Sequence, residues 1–210
     1  MIKIINQETI KRAIKKIKEK LEENKDYLNE LDSDIGDSDH GRSIVNAFKE
    51  AYSTVDGSEY DGIGDLMNDA ASSIISASGG ASGVLYGSAF MAAAREVQDK
   101  NEIGHEDLGN MLQAMNDKIM DRGGAEPGDK TMVDTLHPAV QAYKESGGIE
   151  QGLDAALEAA AEGRDSTEEM IASKGRSSRL GDRSKGHIDP GAESMYLILE
   201  TLFETIKEDL

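Results

Sequence analysis

Between residues 10 and 31 the apolar side chains Ile10, Ile14, Ile17, Leu21, Leu28 and Leu31 recur every three, four or seven positions, with mostly charged residues between them. That spacing places them on one face of a helix of 3.6 residues per turn and predicts an amphipathic helix. The same period returns in Ile44, Phe48, Ala51, Tyr52 and Val55, in Leu66, Met67, Ala70 and Ile74, and in Leu108, Met111, Leu112, Met115 and Ile119. It returns again in Val133, Leu136, Val140 and Tyr143, in GLDAALEAAAEG, and in the C-terminal ESMYLILETLFETIKEDL. No stretch sustains a period of two with β-branched and aromatic residues, so the expectation is an all-α fold without a sheet. The periodicity predicts about seven or eight helices joined by glycine-rich loops. The chain has 210 residues, 38% of them hydrophobic, and Pro127, Pro138 and Pro190 mark no linker. One domain over residues 1–210 is the expectation, with one sizeable core.

Four loops stand out because glycine sits with polar or charged residues where helices begin or end: DSDIGDSDHG, SGGASG, RGGAEPGDKT and GRSSRLGDRSKGHIDPGAES. Amides freed at helix N-termini bind anions, and a bundle can gather several of them at one end. The pattern therefore suggests a nucleotide. The formal charge of −18 and pI of about 4.6 work against phosphate backbones and anionic lipid, which excludes nucleic acid and the membrane surface as partners. A small anion would need a metal ion to bind such a chain. Cysteine is absent, which removes thiol nucleophiles and zinc-thiolate sites and fits a reducing compartment, with the cytosol the simplest reading. No continuous apolar run marks a signal sequence or a spanning helix.

The stretch LDSDIGDSDHGRSI crowds Asp32, Asp34, Asp37 and Asp39 into eight positions. Unneutralised, these carboxylates repel one another, so the loop is either a well-solvated cap or a metal site. An EF-hand fails in both registers. Starting at Asp32 puts Asp37 at the glycine position and Ser43 at the glutamate position, and starting at Asp37 puts Arg42 and Phe48 there. What remains is a compact set of hard oxygen donors of the kind that suits Mg²⁺ shared with substrate phosphates. GAEPGDKT superficially resembles a Walker A loop, but Asp129 separates Gly128 from Lys130 and no strand precedes it. His40 and His187 could be phosphocarriers or ligands, although each alone reads as a hydrogen-bonded loop residue. His105 and His137 have no acidic or glycine-rich company, and AFMAAA reads as core.

Taken together and in this order, GDSDHG, GGASGVLYG, GDKTMVDTLHPA and GRSSRLGDRSKGHIDPGAES closely resemble the DhaL family, the nucleotide-binding subunit of dihydroxyacetone kinase, over essentially the whole chain. The resemblance implies an antiparallel eight-helix barrel with the nucleotide at one end. It implies that Asp32, Asp37 and Asp39 hold two Mg²⁺ ions that bridge a diphosphate, with Asp34 a solvated or capping bystander. Nucleotide contacts carry over to His40, Gly41, Arg42 and Ser43, to Ala81 and Ser82, and to Gly123 and Met132. The last loop would contribute Arg176, Asp189, Pro190 and Gly191. Met132 would pack on adenine and Ser82 would donate to phosphate. The sequence departs from the family where Ser43 stands for asparagine, Asn46 and Ala47 for an Arg-Gly pair, Val84 for proline and Arg179 for an aromatic. The three metal aspartates are unaffected by these departures.

The chemistry implied is phosphoryl transfer to dihydroxyacetone held by a histidine on a DhaK-like partner, with this chain bringing only nucleotide (ADP/ATP) and metal. Such a transfer needs in-line positioning and charge neutralisation more than a local nucleophile. A free-standing chain resembles the phosphotransferase-system type, in which retained ADP is rephosphorylated by a DhaM-like phosphohistidine carrier. Three alternatives stay open: a subunit of an ATP-dependent triose or related kinase, an ADP-loaded regulatory partner of a transcription factor, and the nucleotide domain of a fatty-acid kinase. The last is disfavoured by GDSDHG in place of Gly-Asp-Thr-Gly-Thr-Asn.

Overall fold

The computed structural model describes residues 5–78 and 80–210, so Gly79 of the GGASG loop lies outside the described residues. Helices follow helices, as the periodicity predicts: α1 (Gln7–Glu23), α2 (Lys25–Ile35), α3 (His40–Val55), α4 (Ile63–Ala77), α5 (Ala81–Glu96), α6 (His105–Gly123), α7 (Val133–Glu145), α8 (Ile149–Ser166) and α9 (Pro190–Lys207). Short 3₁₀ turns at Thr167–Glu169 and Ser177–Ser184 interrupt the long last loop.

Three local features differ from the sequence expectation. The apolar stripe from Ile10 to Leu31 is divided at Asn24, whose backbone leaves helical geometry at φ −99° and ψ 7° while its side-chain amide joins its own backbone amide in donating to the Lys20 carbonyl, at 2.8 and 3.1 Å. The periodicity also passed over α5. Its run of Ala, Gly and Ser, with Gly83, Tyr86, Gly87, Ser88, Ala89, Ala93 and Ala94 buried, offers little apolar contrast between faces. A sheet does exist, although only two residues long: β1 (Ile5–Asn6) pairs antiparallel with β2 (Glu102–Ile103), Ile5 opposite Ile103. Both isoleucines are buried, and Asn6 then caps α1 by accepting from the Thr9 amide at 3.1 Å. Two residues are too few to show alternation in a sequence.

Each helix from α3 onward packs on its successor, and α1 packs on both α3 and α9, which closes the circuit of contacts. Inside it lie Phe48, Phe90, Tyr86, Tyr143 and Phe203, with Phe48 and Phe90 meeting edge to face at 5.7 Å between centroids. Pro138 lies within α7 and cannot donate to the Asp134 carbonyl four residues earlier. Gly163 of α8 fills that approach: a Cβ there would sit 2.1 Å from the Asp134 oxygen. Among the described residues no helix is long and apolar enough to cross a membrane.

Candidate functional site

Because neighbouring helices run up and down in turn, the N-termini of α3, α5, α7 and α9 come to the same end as the C-termini of α2 and α6. Between them opens a cavity of about 510 Å³, lined by residues from all four glycine-rich loops. The positive ends of four helix dipoles face it, an arrangement suited to an anion.

On its rim, Asp32, Asp37 and Asp39 each bring a carboxylate oxygen to within 4.8 Å of the others. Asp32 closes α2, is buried, and accepts the backbone amides of Asp39 at 2.9 Å and His40 at 3.2 Å. Gly36 makes room for it, since a Cβ there would lie 1.9 Å from Asp32 Oδ1. Ser38 turns the chain at φ 63°, bringing Asp37 and Asp39 back toward Asp32. Three hard oxygens on a fixed turn, one of them buried, fit a divalent cation of the Mg²⁺ type. Asp34 is not among the converging carboxylates and pairs with His187 Nδ1 at 3.3 Å. It ties the first loop to the last.

His40 opens α3 and is buried. Its Nε2 meets Ser194 Oγ at 2.8 Å, and Ser194 in turn meets Tyr86 Oη at 2.7 Å. Burial holds the His40 imidazole below its ordinary pKa, against the opposing pull of Asp32 and Asp39. Asp189 caps α9, its carboxylate accepting from the Ala192 amide at 2.8 Å, and burial raises its pKa to about 7. Lys130, wholly buried at φ 62°, donates from Nζ to the carbonyls of Thr167 and His187, so the third loop is fastened to the last. Asp134 finishes that loop by accepting from the Gly128 and Thr131 amides.

The cavity brings together His40, Ser43, Ala81, Ser82, Gly123, Met132, Arg176, Asp189, Pro190 and Gly191 with the three aspartates. Gly41 and Arg42 are not in its lining. Gly41 faces α2, where a Cβ would lie 2.2 Å from the Lys25 carbonyl, and Arg42 is exposed, its amide donating to Asn29 Oδ1 at 3.2 Å. Arg176 forms an ion pair with Asp37 across the rim. Sequence reasoning passed over Arg122, Lys130, Thr131 and Lys174, which also line the cavity. The signal lies in GDKT, which fails as a Walker A loop but belongs to the third family motif, and in the lysine two residues before Arg176.

The DAK2 domain profile matches residues 34–204. The chain belongs to the DAK2 domain family. Within the family it resembles the DhaL subunits. It is 37% identical to the "PTS-dependent dihydroxyacetone kinase, ADP-binding subunit DhaL" of Lactococcus lactis, over 91% of this chain and 93% of that protein. It is also 37% identical to the "PEP-dependent dihydroxyacetone kinase, ADP-binding subunit DhaL" of Escherichia coli, over 87% of this chain and 89% of that one. The fold of this DAK2 domain matches the dihydroxyacetone kinase of C. freundii crystallised with AMP-PNP and Mg²⁺, at a TM-score of 0.72 and 25% identity. That match covers 97% of this chain and 35% of the solved one, so the DAK2 domain spans about a third of that protein.

Proposed function

We propose that this chain is the ADP-binding subunit of a dihydroxyacetone kinase driven by a phosphohistidine carrier. The observation that carries the reading is the carboxylate triad of Asp32, Asp37 and Asp39 on the rim of a cavity faced by four helix N-termini. The names of its relatives, PTS-dependent and PEP-dependent ADP-binding subunits, supply the nucleotide and the donor.

In this reading the triad holds two Mg²⁺ ions, which when bound neutralise the diphosphate and polarise the phosphoryl group in transfer. The N-termini of α3 and α5, with Ser43, Ala81 and Ser82, receive phosphate oxygens. Met132 and the apolar wall at Leu85, Ile119 and Ala125 receive the base. Arg176, paired with Asp37 on the rim, supplies a cation at the phosphate end. His40, Gly123, Asp189, Pro190 and Gly191 shape the pocket and hold α3 and α9 in place. Gly41 acts by letting α3 approach α2. Arg42 has no such part. The sugar and the histidine that would hold it lie on a DhaK-like partner, a DhaM-like carrier renews the phosphoryl group, and the subunit works in the cytoplasm.

The test is direct. Purified protein should carry about one equivalent of ADP, lose it to EDTA, and phosphorylate dihydroxyacetone with its partner only when phosphoenolpyruvate drives the carrier. Multiple turnover on added ATP alone would reverse the donor assignment, because ADP would then have to leave in every cycle.

A further inference from the structure

Residues 174–185 read KGRSSRLGDRSK, five cations against one carboxylate. Subtracting that +4 from the chain's formal −18 leaves −22 on the rest, so the segment is an isolated basic patch on a strongly acidic protein. Its 3₁₀ turn at Ser177–Ser184 packs on α2 and encloses a groove of about 640 Å³. Arg176, Arg179 and Arg183 form one wall, and Asp34 and Asp37 stand on the other. Arg176 is taken by Asp37, whereas Arg179 and Arg183 are exposed and, among the described residues, make no ion pair. Asp37 and Arg176 also line the nucleotide cavity, so the groove and the cavity share a wall. Two unpaired guanidiniums therefore flank the phosphate end of the site from outside.

We propose that this groove is the docking site of the phosphohistidine donor, with Arg179 and Arg183 pairing its phosphoryl group as it approaches the nucleotide. This rests on the functional reading above. The choice of occupant follows from charge. The acceptor sugar is an uncharged polyol and needs no guanidinium, but the donor brings a dianionic phosphoryl group toward a diphosphate on an acidic chain, against a repulsive field. Guanidiniums bind phosphoryl oxygens in pairs and are the side chains suited to that task. In the transfer the donor's P–N bond breaks as a P–O bond forms at the terminal phosphate of ADP. The released imidazole nitrogen takes one proton from solvent, so charge balances.

The experiment uses the ADP-loaded full chain with Arg179→Gln and Arg183→Gln together, and separately Arg179→Glu with Arg183→Glu. The probe is a phosphohistidine carrier charged from phosphoenolpyruvate. Its association rate, its affinity and the single-turnover formation of bound ATP are measured over a range of ionic strength. Charge removal should slow association about tenfold or more at low salt and flatten its salt dependence, and reversal should do more. ADP retention, and transfer from preloaded ATP to sugar on the acceptor subunit, should stay within about twofold of the parent, a span of less than 0.5 kcal/mol. Unchanged carrier kinetics, or loss confined to the sugar half-reaction, would overturn the groove assignment alone. If the parent chain takes no phosphoryl group from the carrier and turns over on ATP, the functional reading fails and the proposal falls with it.

Discussion

Asp37 and Asp34 are neighbours in sequence with different surroundings, and substitution should separate them. Asp37→Asn removes one of three converging oxygens and frees Arg176, so nucleotide retention measured by dialysis should fall at least tenfold, with helical circular dichroism intact. Asp34→Asn lies outside the triad and should retain nucleotide within about twofold, since the half-exposed Asp34 loses only its contact with His187, a pairing worth about 0–1 kcal/mol. Gly41 makes the converse point. Its Cα faces the Lys25 carbonyl and Asn29 Oδ1, so Gly41→Ala must push α3 away from α2. The cost should be about 1–3 kcal/mol, the usual range for overpacking, visible as a lower urea midpoint.

At the scale of elements, the last loop is held by side chains rather than by regular structure. Lys130 reaches two of its carbonyls from inside, and Asp189 anchors its exit into α9. Lys130→Met leaves both carbonyls without their donor, at about 1–3 kcal/mol each if they stay buried, and amide exchange in residues 167–187 should accelerate. Asp189 gives a pH signature. Burial raises its folded pKa to about 7 from an unfolded value of about 3.9, so between those limits the folded chain holds more protons than the unfolded one. Its contribution to stability is complete below pH ~4 and is lost as pH rises to ~7. Asp189→Asn keeps a capping side chain without that titration. The variant should therefore gain stability relative to the parent across this window, as read from urea unfolding at a series of pH values.

At the scale of the whole molecule the dominant feature is the formal charge of −18, carried mostly outside the basic last loop. Self-repulsion opposes the compact state, and raising ionic strength from 0.01 to 0.15 M shortens the screening length from about 30 Å to about 8 Å. The melting temperature should rise over that range in NaCl. It should rise further in MgCl₂ at matched ionic strength, because binding at the triad adds a stabilisation that grows with ligand concentration. Asp37→Asn should keep the NaCl response and lose the extra Mg²⁺ response.

Periodicity alone was enough for an all-α chain, because burying one face of each helix is a local demand written into every third or fourth residue. The four ordered loops were legible for a related reason: glycine and paired carboxylates are needed at fixed positions whatever surrounds them. Other features depend on distant partners. Asn24 divides α1 from α2 where its backbone leaves helical geometry and its side chain bonds back to the preceding turn, and α5 hides its helical character in small residues that matter only against its neighbours. Arg42 looked like Ser43 from its place in the loop, yet one helical step turns it to solvent. Lys130 and Lys174 join the cavity only because the third and last loops, remote in sequence, fold over it. The sequence by itself determined the fold class and the chemistry of the loops, since those follow from local spacing. Which loop side chains face the cavity, and that Arg179 and Arg183 stand unpaired beside its phosphate end, was decided by tertiary packing, which alone brings residues remote in sequence within reach of one another.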